Sequence, residues 1–405
     1  MYTGFKLPSG SKFHNLINCL GPKPNSEQNF KIFHQNIESL SSRIEPLQII
    51  LNEIRPDIVI LSEHNMKPYQ IERLNITNFT VSSYYSRKST TKGGVMILAK
   101  GGLVGRQLEM PAFDLMCQDK MFEFCASVFV INGLKYLIIA VYRSPASIVS
   151  CFLDRLCNLI DLVSKKFKNI IIGGDININI LNNNANKIDL QNVLESHNMI
   201  YLVDFPTRVD GTSVSGIDNF FTNLSKDCIR VSGVVTMLSD HDGQVLEILN
   251  VNKLKENSFV IKNQRDFSEE NIKLFKKLLE NENWQQVYLA SSEEKYKIFN
   301  QIFLYYFNWS FPKKSFKVKK NCGFKWTNNQ LKEEKQNIIQ LTKTARYKND
   351  INLINYIKKK NKDYKKHLIQ TKKEFFDEKI KKSNNVMKTS WKIINSEISN
   401  KKGKK

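Results

Sequence analysis

The sequence contains no long apolar run and no closely paired cysteines. No stretch approaches the roughly 20 apolar residues that a helix needs to span a bilayer, and the N-terminal region lacks the compact apolar segment of a signal peptide. The seven cysteines include no CxxC pair and occupy positions 19, 117, 125, 151, 157, 228 and 322. We therefore predict reduced core thiols and a nuclear or cytoplasmic location, or both, with no membrane partner.

Basic residues greatly outnumber acidic residues only in the C-terminal part of the chain. Of the 405 residues, positions 1–250 carry 24 lysines and arginines against 23 acidic residues, whereas positions 251–405 carry 37 against 16. The net charge of +22 is thus divided into +1 and +21. A block this basic most often contacts nucleic acid, although an anionic membrane surface or a need for solubility would produce the same composition.

Composition divides the chain into three segments. Residues 1–28 are polar and without period, so we expect a flexible leader. Residues 29–252 alternate short apolar runs with helical spacing, which predicts an α/β domain of two packed, mixed β-sheets flanked by helices. In residues 253–405 the strand signals disappear, and Lys-rich helical patterns predict a basic, mostly α-helical extension.

Two local patterns are especially clear. Asn132-Gly133 separates two apolar runs and predicts a β-hairpin, because both residues tolerate the left-handed backbone of a tight turn. In the basic extension, apolar residues near heptad spacing predict a helical hairpin or a coiled segment rather than a globular core. These apolar positions are Ile357, Tyr364, Leu368 and Phe375.

Polar residues of a few types end or follow several apolar runs of the α/β segment. They are Asn36, Glu63, Tyr142, Asp175, Asn177, Asp218 and the segment Ser239-Asp240-His241-Asp242. Phosphodiester hydrolysis needs a cation for the phosphoryl oxygens and a base or oriented water for the attack. Carboxylates such as Glu63 and Asp240 are suitable ligands for Mg²⁺. A histidine held by a carboxylate would stay cationic and could donate to a phosphate oxygen.

Each of these residues also has a purely structural interpretation. Glu63 alone could be an exposed acid after a strand, and the Gly-Gly-Asp-Ile-Asn sequence of 173–177 also favours an Asx-type turn. His241 could be a capped loop residue, while Tyr142 and Asn36 could simply end their strands. The joint occurrence of all these residues favours an active site.

The order of the motifs resembles the endonuclease/exonuclease/phosphatase superfamily over about residues 30–250. The motifs are HQNI, LSEH, YRSP, GGDIN, GIDNFFTN and SDHD. Within the superfamily, RKSTTKGGVMIL at 87–98 and PTR at 206–208 look like the endonuclease domain of jockey-like non-LTR (LINE-type) retrotransposons. The resemblance implies a four-layer α/β sandwich. It also implies a DNA endonuclease that uses Mg²⁺, with Mn²⁺ as an alternative, to nick a target site and leave a 3′-hydroxyl.

The resemblance further implies a role for each matching residue. The metal ligands would be Asn36, Glu63 and Asp240. The catalytic residues would be Asp175, which activates water, Asn177, Tyr142, and His241 oriented by Asp218. The DNA contacts would be Arg143, Thr207, Arg208 and Ser239.

The C-terminal segment resembles the connector that precedes the reverse transcriptase in such elements. The resemblance is carried by KWTNNQLKEEKQ at 325–336 and SWKIINSEI at 390–398. The sequence contains no polymerase Asp-Asp turn and no Cys/His knuckle. We expect the basic helices to contact DNA or the RNA of the element. Two other functions stay open: a phosphatase of the same fold acting on inositol phosphates or other small molecules, and a non-catalytic, nucleic-acid-binding remnant of a transposable element.

Overall fold

Residues 30–248 contain two six-stranded sheets. The computed structural model describes residues 29–397 except 89, 91, 211–212, 250, 252–258, 320–325 and 349. The predicted leader 1–28 lies outside the described residues. The contacts divide the chain into one unit of Met1–Lys253 with Phe324–Lys405 and a second unit of Leu254–Gly323.

The first sheet brings together strands from both ends of the α/β segment. Its strands are β1 (Phe30–Asn36), β2 (Ile58–Ser62), β3 (Phe79–Tyr85), β4 (Val95–Lys100), β13 (Ile229–Val234) and β14 (Gly243–Ile248). They lie in the order β13-β14-β1-β2-β4-β3. β1 runs parallel to β2 and antiparallel to β14. The carboxyl ends of β1 and β2 therefore lie at the same edge as the start of β14. Two helices connect strands in this half, α1 (Ile44–Ile54) and α2 (Pro68–Ile71).

The second sheet is built from the middle of the segment. Its strands are β5 (Gly105–Gln107), β6 (Glu123–Ile131), β7 (Leu134–Tyr142), β8 (Asn169–Asp175), β9 (Ile200–Tyr201) and β12 (Asp218–Thr222), in the order β5-β6-β7-β8-β12-β9. β7 is parallel to β8, and β8 is antiparallel to β12. The helices are α3 (Pro111–Met116), α4 (Val149–Ser164) and α5 (Ala185–Ser196). A separate short hairpin consists of β10 (Arg208–Asp210) and β11 (Ser213–Ser215).

Three apolar clusters show how the layers pack. The cluster between the sheets includes Ile60 from β2 and Ile138 from β7. On the outer face of the second sheet, α4 contributes Phe152, and on the outer face of the first sheet α1 contributes Leu47. Helix, sheet, sheet and helix thus form four layers, which confirms the predicted fold class. The Asn132-Gly133 turn joins β6 to β7 with φ angles of 50° and 78°, as predicted for a tight hairpin.

The last three helices among the described residues belong to the same unit as the sheets. They are α9 (Asn329–Lys348), α10 (Ile351–Lys381) and α11 (Val386–Glu397). α9 and α10 form the predicted helical hairpin. Its buried seam contains Tyr364 and Leu368, and the same cluster includes partly buried Ile49 and Met237 of the sheet domain. From its composition, we predicted that residues 253–405 form one segment. The contacts instead divide this segment after Gly323 and assign its two parts to different units.

The second unit, Leu254–Gly323, corrects the expectation that strands end before Lys253. It contains β15 (Phe259–Arg265), α6 (Glu269–Glu280), α7 (Gln285–Leu289), α8 (Lys295–Ser310) and β16 (Lys313–Lys319). β15 and β16 pair antiparallel. The strand signal was missed because β16 is rich in lysine and its partner lies far along the chain, so no local pattern announces the pairing. Phenylalanine rings of α6 and α8 pack against one another in this unit, for example Phe275 and Phe303 at 5.4 Å.

The described cysteines are all free thiols, but they do not all lie in the core. Cys125 is buried, whereas Cys228 is exposed, so the prediction of core thiols is wrong for Cys228. Cys19 and Cys322 lie outside the described residues. Among the described helices, none combines the length and the apolar character needed to cross a bilayer.

Candidate active site

The predicted catalytic and metal-binding residues meet at one edge of the two sheets. Asn36 is the last residue of β1, and Glu63 follows the last residue of β2. In the second sheet, Asp175 pairs with Tyr142 of β7 on one side and with Asp218 of β12 on the other. The parallel pairs β1/β2 and β7/β8 explain this convergence, because the carboxyl ends of parallel neighbours share an edge.

Asn36 joins the two sheets at this edge. Its amide Nδ2 donates to Glu63 Oε1 at 3.0 Å and to Asp175 Oδ2 at 2.8 Å. Tyr142 is buried beside Glu63, and this burial together with the charges of Glu63 and Asp175 raises the pKa of its hydroxyl, so the hydroxyl remains a donor. Glu63 adopts a left-handed backbone with φ of 54°, a conformation that a non-glycine residue rarely takes outside a constrained site.

His241 is held by Asp218 in a buried ion pair. His241 Nδ1 lies 2.8 Å from Asp218 Oδ2, and Thr207 Oγ1 donates to the same oxygen at 2.7 Å. Burial by itself lowers the pKa of His241, but the charge of Asp218, with smaller contributions from Asp175 and Asp240, raises it to about 10. The imidazole is therefore charged at neutral pH, and its Nε2 proton is directed away from Asp218.

Arg143 and Asn177 shape the turn that follows Asp175. Arg143 is buried, and its guanidinium donates to Ile176 O at 2.6 Å, to Asn177 O at 2.6 Å and to Ser147. Asn177 N donates to Asp175 Oδ1 at 3.0 Å. In this arrangement Arg143 holds the turn in place through hydrogen bonds within the protein. A contact between Arg143 and DNA stays a prediction from the resemblance.

The other three predicted DNA contacts occupy different environments. Thr207 is fully buried and supports Asp218. Ser239 donates to Asn36 O at 2.6 Å and so connects the last loop to β1. The Arg208 side chain is 40% exposed and donates from Nε to Asp240 Oδ2 at 2.7 Å. Of these three residues, only Arg208 presents a cationic side chain near solvent.

Glu38 is a site residue that the sequence reading missed. It lies two residues after Asn36, and its own backbone N–H donates to Asn36 Oδ1 at 3.2 Å. Burial raises the pKa of Glu38 to about 7, and the hydrogen bond to Asp240 and the charge of Asp240 add to this rise. Arg43 donates to its carboxylate at 3.2 Å. The available signal was an acidic residue directly after the HQNI motif.

The donors at this edge fit a hard divalent cation. Asp240 Oδ1 is buried and accepts no hydrogen bond from any described amide, hydroxyl or cationic group, and His241 Nε2 lies 3.7 Å from it. Asp240 and Glu63 lie close enough to Glu38 for their charges to raise its pKa. Crowded carboxylates with an unsatisfied buried oxygen are the environment in which a divalent cation is stabilising. Single ligand atoms of Asp175, Asp218 and His241 also lie within 4.8 Å of one another.

A second group of potential ligands occurs on α4 and at the end of α5. Single ligand atoms of Cys157, Asp161 and His197 lie within 4.8 Å of one another. Cys157 Sγ is 3.4 Å from His197 Nε2, and His197 Nδ1 is 3.5 Å from Asp161 Oδ1. Both ring nitrogens thus already have partners inside the group. We assign no metal to it.

A phosphodiester at the edge of the sheets would meet oxygen ligands for a metal on one side and a charged imidazole on the other. This combination suits metal-dependent hydrolysis of a phosphodiester. Residues 136–244 match the family model described as Endonuclease-reverse transcriptase. The sheet domain is similar to that family over these 109 of the 405 residues.

Several solved structures are similar to about half of this chain. The endonuclease domain of TRAS1, a telomere-specific non-LTR retrotransposon, is 16% identical with a TM-score of 0.43, and the match covers 56% of this chain and 100% of that chain. The 3′-5′ exonuclease NExo from Neisseria meningitidis is 16% identical with a TM-score of 0.43, over 54% and 99%. The APE2 catalytic domain from Xenopus laevis is 14% identical with a TM-score of 0.43, over 54% and 91%. A comparison with curated proteins found no match.

Proposed function

We propose that the protein is an Mg²⁺-dependent endonuclease that nicks DNA at a target site for retrotransposition and leaves a 3′-hydroxyl. The observation that carries the proposal is the buried His241–Asp218 pair beside the Asn36, Glu63 and Asp175 cluster. A charged donor and a group of hard oxygen ligands are the two requirements of phosphodiester hydrolysis.

Asp175 is suited to accept a proton from the attacking water. Burial raises the pKa of Asp175 to about 7, and the charge of Asp218 adds to the rise. A base whose pKa lies near the working pH transfers protons efficiently. Asn36 and the Asn177 N–H fix the two carboxylate oxygens, so the side chain is held in one orientation.

His241 is suited to stabilise the charge that grows on the phosphoryl group. Asp218 accepts the Nδ1 proton, which leaves Nε2–H as the donor to a phosphate oxygen. Asn36, Glu63 and Asp240 would hold Mg²⁺, with Glu38 as a further acidic neighbour. When bound, the ion would neutralise the phosphoryl oxygens and the departing 3′-oxygen.

DNA is the proposed substrate because of the charge distribution. The net charge of +21 in residues 251–405 and the half-exposed Arg208 beside Asp240 supply cations for a phosphate backbone. A nuclear location, permanent or transient, follows as part of the proposal, since the target DNA is there. Contact between the basic helices and element RNA stays a prediction from the charge alone.

The proposal predicts nicking of supercoiled plasmid by the full-length protein with Mg²⁺ and none with EDTA. We expect Asp175→Asn, which keeps the shape of the side chain but removes the base, to reduce the rate by roughly 10³-fold. The exposed Asp189 provides a matched control, and Asp189→Asn should cleave at the wild-type rate. Extension of the nicked strand by a DNA polymerase checks the 3′-hydroxyl.

Two outcomes would contradict this function. Hydrolysis of soluble phosphoesters such as inositol phosphates without plasmid nicking would identify a phosphatase. Binding of DNA without hydrolysis of either substrate would identify a non-catalytic remnant.

Binding of Mg²⁺ is expected to tighten as the pH rises through about 7. Glu38 and Asp175 each have a pKa of about 7 without metal, so below that pH the ion must displace a proton. Each such proton makes the apparent affinity roughly tenfold higher at pH 8 than at pH 6. Calorimetry in buffers of different ionisation enthalpy measures the protons released.

The variant Glu38→Gln should release fewer protons near pH 7, whereas the exposed control Glu72→Gln should match the wild type. Affinity that does not change between pH 6 and pH 8 would show that the carboxylates are already ionised without metal.

A further inference from the structure

The loop that carries the catalytic histidine is held from outside the sheet domain. We define the catalytic loop as residues 237–242, which contain Asp240 and His241 and lead into β14. Asp242, the next residue after His241, has a side chain only 13% exposed. Arg346 of α9 donates two hydrogen bonds to it, Nη1 to Oδ2 at 2.5 Å and Nη2 to Oδ1 at 3.0 Å. This forked geometry restrains both direction and distance.

Helix α10 holds the other end of the same loop. Asn361 Nδ2 donates to the backbone oxygen of Met237 at 3.0 Å, and Lys365 Nζ donates to that of Leu238 at 3.3 Å. Backbone oxygens in an irregular loop need donors when they are screened from water. The hairpin supplies these donors at both ends of the loop, with Asp240 and His241 between them.

The hairpin is anchored on the sheet domain independently of the loop. Lys335 of α9 is buried and lies 2.5 Å from Glu53, and Lys372 of α10 lies 3.1 Å from Glu45. Both acids belong to α1. The apolar seam of the hairpin also reaches Ile49 of α1. Because the hairpin is tied to α1, a contact from Arg346 can limit movement of the catalytic loop.

A plain connector would not need this arrangement. Charged residues of a linker helix normally face solvent, and their substitution has little effect. Here an arginine compensates a carboxylate that is nearly removed from water, and loss of one partner of such a pair is strongly destabilising. The partner of Arg346 is moreover adjacent to the residue that we assign to catalysis.

We propose that the α9–α10 hairpin is a working part of the endonuclease and that Arg346 is a positioning residue for the catalytic loop. Only the predicted effect on the rate of cleavage rests on the proposed nuclease function. Arg346 holds Asp242, and the neighbouring His241 is thereby kept at its distance from Asp218. At this distance the Nε2–H of His241 faces the phosphate. The connector and the nuclease are therefore one functional unit.

The test compares full-length Arg346→Ala with Lys343→Ala, which removes an exposed positive charge from the same helix. Hydrogen exchange of peptides covering residues 207–209 and 237–242 reports the state of the loop without any need for activity. The Asp242 N–H is hydrogen-bonded to Thr207 O, at 2.6 Å. We expect exchange in these peptides to be about tenfold faster or more in Arg346→Ala and unchanged in Lys343→Ala.

The kinetic part of the test separates positioning from DNA binding. We expect the kcat for nicking to fall about 10- to 100-fold in Arg346→Ala while the KM for DNA changes less than about threefold, because misplacement affects the reacting groups more than the bound backbone. Arg346→Lys keeps the positive charge but cannot donate two parallel hydrogen bonds to Asp242. This variant should recover part of the lost kcat.

If Arg346→Ala unfolds the hairpin, Asp242→Asn takes its place, since it weakens the ion pair without leaving a buried charge. Wild-type exchange and wild-type kcat in these variants would overturn the inference while leaving the nuclease function intact. Should the wild-type protein not cleave DNA, the exchange result alone decides: faster exchange supports the positioning role, and unchanged exchange overturns it.

Discussion

Replacement of His241 by alanine is expected to reduce phosphodiester cleavage roughly 10³-fold, the scale of removing a preorganised donor to a developing oxyanion. The donor is fully charged at neutral pH because the charge of Asp218, against the opposing effect of burial, raises the pKa of His241 to about 10. Steady-state nicking of supercoiled plasmid by the full-length protein measures the effect. His197→Ala is the matched control, because His197 lies at the end of α5 and outside the active site.

The pH dependence gives a second check on His241. Its folded pKa lies above the value near 6.5 of an unfolded chain, so the ion pair with Asp218 stabilises the fold fully below pH 6.5 and is lost as the pH rises through about 10. Cleavage should therefore not decline between pH 7 and pH 9 through loss of this proton. Unimpaired cleavage by His241→Ala would remove His241 from the mechanism.

Replacement of Gly174 by alanine is expected to cause the largest loss of stability. A Cβ at this position would lie 1.8 Å from the backbone oxygen of Val141 on the neighbouring strand β7. No rotamer change relieves a contact with backbone, so β7 and β8 would have to separate directly beside Asp175. We expect a cost of about 3 kcal/mol or more. Such a cost corresponds to a decrease of roughly 6–12 °C in the unfolding midpoint of a domain of this size.

Thermal unfolding followed by circular dichroism measures this change. Gly101→Ala is the control, because its nearest atom, Asn78 O, would lie at an ordinary 3.4 Å. Equal midpoints for the two variants would show that the strands separate at little cost, and the close approach at Gly174 would then have no structural importance.

Much of the fold could be predicted because its signals are local. Buried strands, the Asn132-Gly133 hairpin and the amphipathic helix α4 each arise from a periodicity that a short window contains. The glycines before Asp175 were also informative, since close backbone approach requires them and Gly174 meets Val141. The pair β15/β16 could not be predicted in this way, because each strand depends on a partner outside its own window.

The candidate site could be predicted by residue type but not by the contacts of each residue. Asn36, Glu63, Asp175, Asp218 and His241 do meet at one edge. The sequence indicates this for Asn36, Glu63 and Asp175, because each ends or follows an apolar strand, whereas Asp218 begins β12. Whether a polar side chain faces substrate or protein depends on which donors and acceptors surround it in space. That information is absent from the spacing of motifs.

Chain chemistry alone therefore determined the α/β architecture of the sheet domain and the residue types able to do the chemistry. Periodicity and side-chain type suffice for these, since they act over short stretches. Tertiary structure decided the rest: Arg143 holds a turn, Glu38 joins the acidic cluster, and Arg346 reaches Asp242 across 104 residues of sequence. The physical reason is that each of these contacts needs a donor and an acceptor that only folding brings together from separate parts of the sequence.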